Sequence, residues 1–120
     1  MKRKLSVGIR GAHESAQEFV AAWRSAVRGK RAEQPAERLY FESLGTMLKV
    51  LTPRRLEVLK RLREAGPISV RALAIAMKRD YKNVHNDIRI LERVGLVLRA
   101  SDGKLIAPWD KIIAEIGLAA

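Results

Sequence analysis

A stretch near the middle of the chain, residues 78–97, places hydrogen-bonding side chains between apolar residues at helical spacing. Val84, Ile88 and Leu91 have the spacing of one buried helix face. If these three pack inward, the outer face carries Lys82, Asn83, His85, Asn86 and Arg89. An asparagine can bind adenine, and an arginine can bind guanine, through two hydrogen bonds each. The stretch therefore predicts a helix, about Tyr81 to Val94, whose outer face contacts base edges in DNA.

Basic and aromatic side chains flank this helix, where they could contact DNA phosphates. Tyr81 and Lys82 stand at its N-terminus, and helix N-termini favour anions because their free N–H groups and the helix dipole face the ligand. The remaining candidates for phosphate contact are Arg71, Lys78, Arg79, Arg99 and Lys104. The alternative interpretation is that all these residues are only solvated. It leaves unexplained why Asp87 is the only acid between Tyr81 and Arg89.

Capping residues define the elements that would position these side chains. Thr52 and Pro53 predict a helix start, since a hydroxyl cap precedes a proline at the first helical position. Leu56, Leu59 and Leu62 form the predicted buried stripe of that helix.

A short helix, a second helix and a hairpin are predicted after it. Ser69 and Asp80 are placed to cap the two helices, and Gly95 ends the second. The run Ser101-Asp102-Gly103 separates two short strand-like segments, and Asp-Gly is a favourable hairpin turn. Three helices followed by a hairpin form a winged helix-turn-helix, in which the last helix enters the major groove, about 12 Å wide.

The first third of the chain has a different pattern. Leu5, Val7 and Ile9 alternate with polar or small residues, which predicts a half-buried strand. Residues 16–27 have helical apolar spacing, residues 29–37 read as a loop, and residues 38–42 have strand composition. The last segment is ambiguous. Asp110 and Gly117 resemble helix caps, but Ile112, Ala114, Ile116 and Leu118 alternate as in a strand.

The predicted fold class is therefore α+β, mainly α: a winged helix-turn-helix with an N-terminal strand-helix-strand extension. We divide the chain into residues 1–42 for dimerisation or partner binding, residues 43–108 for DNA binding, and a tail over residues 109–120. The exposed strand edges at Lys4 to Ile9 and in the tail are candidate pairing surfaces.

Composition narrows the classes of function. The 120 residues carry 24 Lys and Arg against 13 Asp and Glu, a formal charge of +11 that favours a polyanionic partner. The absence of cysteine excludes disulfides and thiolate sites, and it fits a cytoplasmic location. No apolar run is long enough to span a bilayer, and the basic N-terminus has too short an apolar part for a signal peptide.

No catalytic, cofactor or metal motif is recognisable. The two histidines, His13 and His85, have no cysteine partner for zinc, so surface or DNA-contacting roles are favoured. The acidic residues Asp87 and Glu92 are expected to form salt bridges with neighbouring Lys or Arg side chains. The aromatic residues of the first 41 positions, and Trp109, are expected to pack in the interior rather than to stack on nucleic acid. A nuclease remains the enzymatic alternative.

Residues 52–97 resemble the MarR-like winged-helix regulators of bacteria and archaea. They are similar, more specifically, to a small subgroup of DNA-binding regulators and antitoxins of the TumE–TumA type. The shared phrases are Phe41-Glu42-Ser43-Leu44, Thr52 to Leu59, Ser69 to Ala74, and Arg79 to Asp87. The Tyr-Lys-Asn-Val-His string is the most specific of them.

The resemblance implies an antitoxin that represses its own operon and binds the toxin encoded beside it. It also implies that Tyr81, Lys82, Asn83, His85, Asn86 and Arg89 contact DNA, although basic residues often stand at the position of Asn86 in the relatives. It favours a strand over residues 111–118. The alternatives are a stand-alone MarR-like repressor without a toxin, and a protein-interaction module that neutralises a partner enzyme.

The partners expected from the sequence are double-stranded DNA, a second copy of the chain and a cognate toxin. A homodimer is expected because one short helix reads only a few base pairs, whereas two-fold symmetry doubles the site.

Overall fold

The structure is a computed structural model that describes residues 3–9 and 37–118. The predicted helix over residues 16–27, the loop after it and His13 lie outside the described residues. The chain divides into two units: the larger contains residues 1–3 and 48–111, and the other contains residues 4–47 and 112–120. We describe each unit by itself.

The described residues form an α+β fold with four helices and five strands, which confirms the predicted class at this level. The strands are β1 (Lys4–Ile9), β2 (Glu37–Phe41), β3 (Leu98–Arg99), β4 (Leu105–Ile106) and β5 (Lys111–Glu115). The helices are α1 (Leu44–Val50), α2 (Pro53–Ala65), α3 (Val70–Met77) and α4 (Tyr81–Arg93).

Side-chain caps begin three helices where the sequence predicts them. Thr52 accepts a hydrogen bond from the N–H of Arg55 at 3.3 Å, and α2 starts at Pro53. Ser69 caps α3 in the same way, accepting from the third residue after it at 3.1 Å. Asp80 caps α4 at 3.4 Å. Each cap satisfies a backbone donor that has no partner within the helix.

The larger unit has its core where these helices meet the hairpin. The side chains that are buried there are Val58, Leu59, Leu62, Leu73, Ala74, Val84, Ile88, Leu91, Leu96, Val97, Leu105 and Ala107. One prediction is wrong: Leu56 is 42% exposed, and Val58 is buried instead. The two residues are about 200° apart around the helix, so they cannot share a face.

Strands β3 and β4 form the predicted antiparallel hairpin, with Leu98 opposite Ile106. Gly103 has a φ of 83°, and Asp102 accepts the N–H of Lys104 at 3.0 Å. Ile68, between α2 and α3, exchanges two backbone hydrogen bonds with Leu105. The hairpin is therefore joined to the segment before α3.

The other unit contains a three-stranded sheet in the order β2-β1-β5. β1 and β2 are parallel, with Val7 opposite Leu39 and Ile9 opposite Phe41. The tail forms a strand, as the resemblance favours. The expectation of an exposed edge at Lys4 to Ile9 is wrong, because β1 is the central strand and is paired on both sides. Backbone pairing with a distant segment has no local sequence signal.

Candidate nucleic-acid interface

Helix α4 presents the polar face that its sequence predicts. Val84, Ile88 and Leu91 are almost completely buried, with exposures of 0%, 1% and 0%. The side chains opposite them form what we call the polar face of α4. Lys82, Asn83, Asn86 and Arg89 are exposed, and His85 is half-buried.

An aromatic stack supports the beginning of this face. Tyr81 is 49% exposed, and its ring stacks on that of His85, one turn later, with centroids 5.7 Å apart and planes 29° apart. The stack brings the Tyr81 and His85 rings together at the start of the helix.

The single acid within the first half of α4 points away from the polar face. Asp87 is 7% exposed, and its carboxylate accepts from Arg55 Nε at 3.2 Å and from Arg79 Nη2 at 2.8 Å. Arg55 also donates to the carbonyl of Lys49 at 2.6 Å and to that of Val50 at 3.3 Å. This network, called here the Asp87 network, ties α4 to α2 and to the end of α1.

The Asp87 network changes the interpretation of Arg79. The sequence predicts a phosphate contact, but the Arg79 side chain is only 19% exposed and its charge faces a carboxylate. Its Nη1 is buried without a hydrogen-bond partner among the described residues. The structure therefore gives Arg79 a supporting position under α4.

Arg55 is the residue that sequence reasoning missed. The available signal was Asp87 itself, which stands between Val84 and Leu91 on the apolar face of the helix. A buried acid at such a position needs a basic partner, since an unpaired buried charge is costly. The sequence could not identify Arg55 as that partner, because the two residues lie 32 positions apart.

The turn between α3 and α4 brings four predicted residues, Arg71, Lys78, Arg79 and Tyr81, to one groove of about 500 Å³. Arg71 and Lys78 are exposed at its rim together with Tyr81. The backbone of Lys78 has the left-handed helical conformation, with φ 54° and ψ 43°, and α3 ends there. Ile75, also in the groove lining, is 72% exposed. The groove thus combines two exposed cations, and the Asp87-paired Arg79, with an apolar side chain. Exposed cations of this kind suit a sugar–phosphate backbone.

The two predicted hairpin residues differ in their surroundings. Arg99 donates through Nε and Nη2 to the two carboxylate oxygens of Glu92, at 2.7 and 3.2 Å, and also to the carbonyl of Gly103. The hydrogen bond with Glu92 raises the pKa of Arg99. This confirms the predicted salt bridge of Glu92 and partly neutralises the hairpin. Lys104 is exposed near its tip.

Trp109 has partners within the larger unit. Its Nε1 donates to the carbonyl of Leu96 at 2.8 Å, and the guanidinium of Arg3 lies 5.0 Å from its ring centre. Within residues 3–9 and 37–118, no group of three or more histidine or acidic side chains could hold a metal ion. No helix in that part of the chain is both long and apolar enough to cross a membrane.

The fold and the surface define the class: an α+β protein whose capped helix presents an acid-free polar face beside a basic groove. A family model named HVO_A0114 matches residues 50–114, which is more than half of the chain and includes every residue of this surface. The chain belongs to the HVO_A0114 family. Neither a curated protein nor a solved structure gives a significant match.

Proposed function

We propose that this chain is a sequence-specific, double-stranded DNA-binding transcriptional regulator, and that residues 43–108 act as a winged helix-turn-helix. In this proposal α4 is the recognition helix, α3 is the helix that braces it, and the β3–β4 hairpin is the wing. The polar face of α4 contacts base edges in the major groove. Arg71, Lys78 and Tyr81 contact phosphates, and Lys104 contacts the backbone from the wing.

The observation that carries this proposal is the position of Asp87. The polar face of α4 has five hydrogen-bonding side chains, and the one acid that stands among them in the sequence, Asp87, is buried and paired with two arginines. The exposed Asp80, which precedes the helix, is used as its N-cap. A merely solvated helix face has no reason to keep acids away from its basic side chains. A face that meets a polyanion has one, since like charges repel.

Two predicted contacts are changed in this proposal. Arg79 acts indirectly by holding Asp87, and Arg99 by holding Glu92 and the hairpin tip. Neither is expected to supply a full charge to DNA, because each already faces a carboxylate. Asn83, Asn86 and Arg89 are the proposed base-reading residues, and His85 is a further donor on the same face.

The test separates base contacts from phosphate contacts. The probes are a duplex from the region upstream of the protein's own gene and a random duplex of equal length. Asn83→Ala or Arg89→Ala should cost about 1–3 kcal/mol on the first duplex and little on the second. Lys78→Ala, at a proposed phosphate contact, should weaken both alike. Lys60→Ala, at an exposed lysine of α2 outside the proposed interface, is the matched control.

Salt dependence supplies an independent check. Each phosphate contact should contribute about 0.9 to the slope of log affinity against log salt concentration. An affinity that does not change with salt, or equal losses on both duplexes for Asn83→Ala, contradicts the proposal.

The more specific role that we propose is that of an autorepressing antitoxin in the cytoplasm, with a cognate toxin as its protein partner. It is supported by the Arg79 to Asp87 string and its resemblance to the TumE–TumA type. The test is co-expression with the product of the adjacent gene. Growth inhibition by that product, relieved by this chain, supports the role. If the product of the adjacent gene is not toxic, the antitoxin role is refuted and a stand-alone repressor is favoured.

A further inference from the structure

Strand β5 ends the sheet and exposes apolar side chains at the same time. In the order β2-β1-β5, β5 has a neighbour on one side only among the described residues. Ile113 is 43% exposed, and Ile116 and Leu118, which follow the strand, are 45% and 97% exposed. A free edge with apolar side chains readily pairs with another strand, and proteins usually block such edges.

The sequence of β5 is complementary to itself. It reads Lys111-Ile112-Ile113-Ala114-Glu115. The lysine and the glutamate each stand two residues from the central Ile113. In an antiparallel pair centred on Ile113, each Lys111 stands opposite the Glu115 of the second copy. The two Ile113 side chains meet between these ion pairs, on the same face, because alternate residues share a face.

The other ways of pairing this edge are less favourable. A parallel pair in register would place Lys111 opposite Lys111 and Glu115 opposite Glu115, and like charges directly opposite destabilise a sheet. An antiparallel shift by one residue would move the two-fold axis away from Ile113 and leave the charges unmatched. Charge complementarity therefore selects both the occupant, a second copy of this chain, and the register.

The surroundings of Glu115 within its own chain show how β5 is held in the sheet. A hydrogen bond with Tyr40 and, to a smaller extent, the charge of Glu115 raise the pKa of Arg38. The carbonyl of Glu115 also lies 3.7 Å from the Cβ position of Gly8 on the central strand. The strand is thus held in the sheet by β1, while Lys111, Ile113 and Glu115 are exposed.

We infer that the β5 edge is a homodimer interface, in which two copies pair antiparallel about Ile113 and join their sheets into one of six described strands. This inference deepens the proposed function by assigning a surface to the expected dimer, but it rests on the sheet alone. Its test contains no DNA, so its failure and a failure of DNA binding can be distinguished.

The experiment is sedimentation equilibrium of the full chain and of charge variants of β5. The unaltered protein should have twice the chain mass of 13.5 kDa. Lys111→Glu or Glu115→Lys alone turns two attractive pairs into two repulsive ones. At about 0.5 kcal/mol for each attraction or repulsion, the dimer dissociation constant should rise about 30-fold, or about 2 kcal/mol. Lys60→Glu, the same change on α2, should leave the mass unchanged.

Mixing the two single variants provides the decisive readout. In the mixed pair, the two acidic side chains at positions 111 and 115 of one chain face the two lysines at the same positions of the other. A heterodimer should therefore form with nearly the original affinity. The double variant, Lys111→Glu with Glu115→Lys, should dimerise by itself. A folding defect in either variant would not be rescued by mixing. A monomeric unaltered protein, single variants that dimerise normally, or the absence of rescue would each overturn the inference.

Discussion

Replacing Lys78 by glycine should make the protein more stable and its DNA binding weaker. Lys78 ends α3 in a left-handed conformation, with φ 54° and ψ 43°, and it is the single non-glycine residue with positive φ among residues 3–9 and 37–118. Its N–H donates to the carbonyl of Ile75, and the N–H of Arg79 donates to that of Ala74 at 3.0 Å. These hydrogen bonds require the left-handed residue, whatever its side chain.

The magnitude follows from two opposing effects. A side chain in the left-handed region costs about 1–2 kcal/mol, because Cβ approaches the following carbonyl oxygen. Glycine avoids that cost but loses about 0.5–1 kcal/mol through the greater entropy of its unfolded chain. The net gain in the free energy of unfolding should be about 0.5–1 kcal/mol, or an increase of about 2–6 °C in Tm.

Lys78→Ala is the matched control, since it removes the ammonium group and keeps Cβ. Both variants should lose the same phosphate contact, which lowers affinity for all duplexes and reduces the salt slope by about 1. Urea unfolding and gel shifts on the same two samples measure both quantities. If Lys78→Gly is no more stable than Lys78→Ala, the turn is not strained. If both bind DNA normally, Lys78 lies outside the interface.

Two further predictions concern charges inside the larger unit. Asp87→Ala should lower the free energy of unfolding in urea by about 3–4 kcal/mol, because it leaves Arg55 and Arg79 partly buried without a carboxylate; a loss below about 1 kcal/mol would refute the importance of the Asp87 network. Asp110 accepts hydrogen bonds from Arg63, which hold the pKa of Asp110 below its ordinary 3.8. A carboxylate whose pKa is lowered in the folded state stabilises the protein above about pH 4. This stabilisation is lost as the pH falls through the pKa of the folded state. The stability difference between the unaltered protein and Asp110→Asn should therefore narrow on acidification, and a pH-independent difference would contradict this reasoning.

The HVO_A0114 match and the surface of the larger unit concern the same residues. The family model covers residues 50–114, so α2, α3, α4 and the hairpin are all included, whereas β1 and β2 are not. We expect the DNA-binding properties proposed here to be testable on other members of this family. The dimer interface proposed for β5 lies at the end of the matched region.

The boundaries of the helices and the buried face of α4 were predictable from the sequence, because local hydrogen bonds and the helical period determine them. The buried face of α2 was predicted only in part, since Leu56 is exposed and Val58 is buried. Thr52, Ser69 and Asp80 each cap a helix by bonding to an N–H three residues later, within reach whatever the tertiary fold. The inward positions of Val84 and Ile88 follow from spacing within one helix. The polar face of α4 therefore follows from the sequence of that helix alone, without knowledge of the elements that pack against it.

The tertiary structure decided what each charged side chain does. Arg79 and Lys78 are adjacent and basic, and the sequence assigned both to phosphates. Only the position of α4 brings a carboxylate to 2.8 Å from Arg79 and leaves Lys78 exposed. The physical reason is that a guanidinium can bind either a carboxylate or a phosphate through two hydrogen bonds, so the partner of Arg79 depends on which anion the fold brings close. The central place of β1 is decided in the same way, by pairing with strands far away in the sequence.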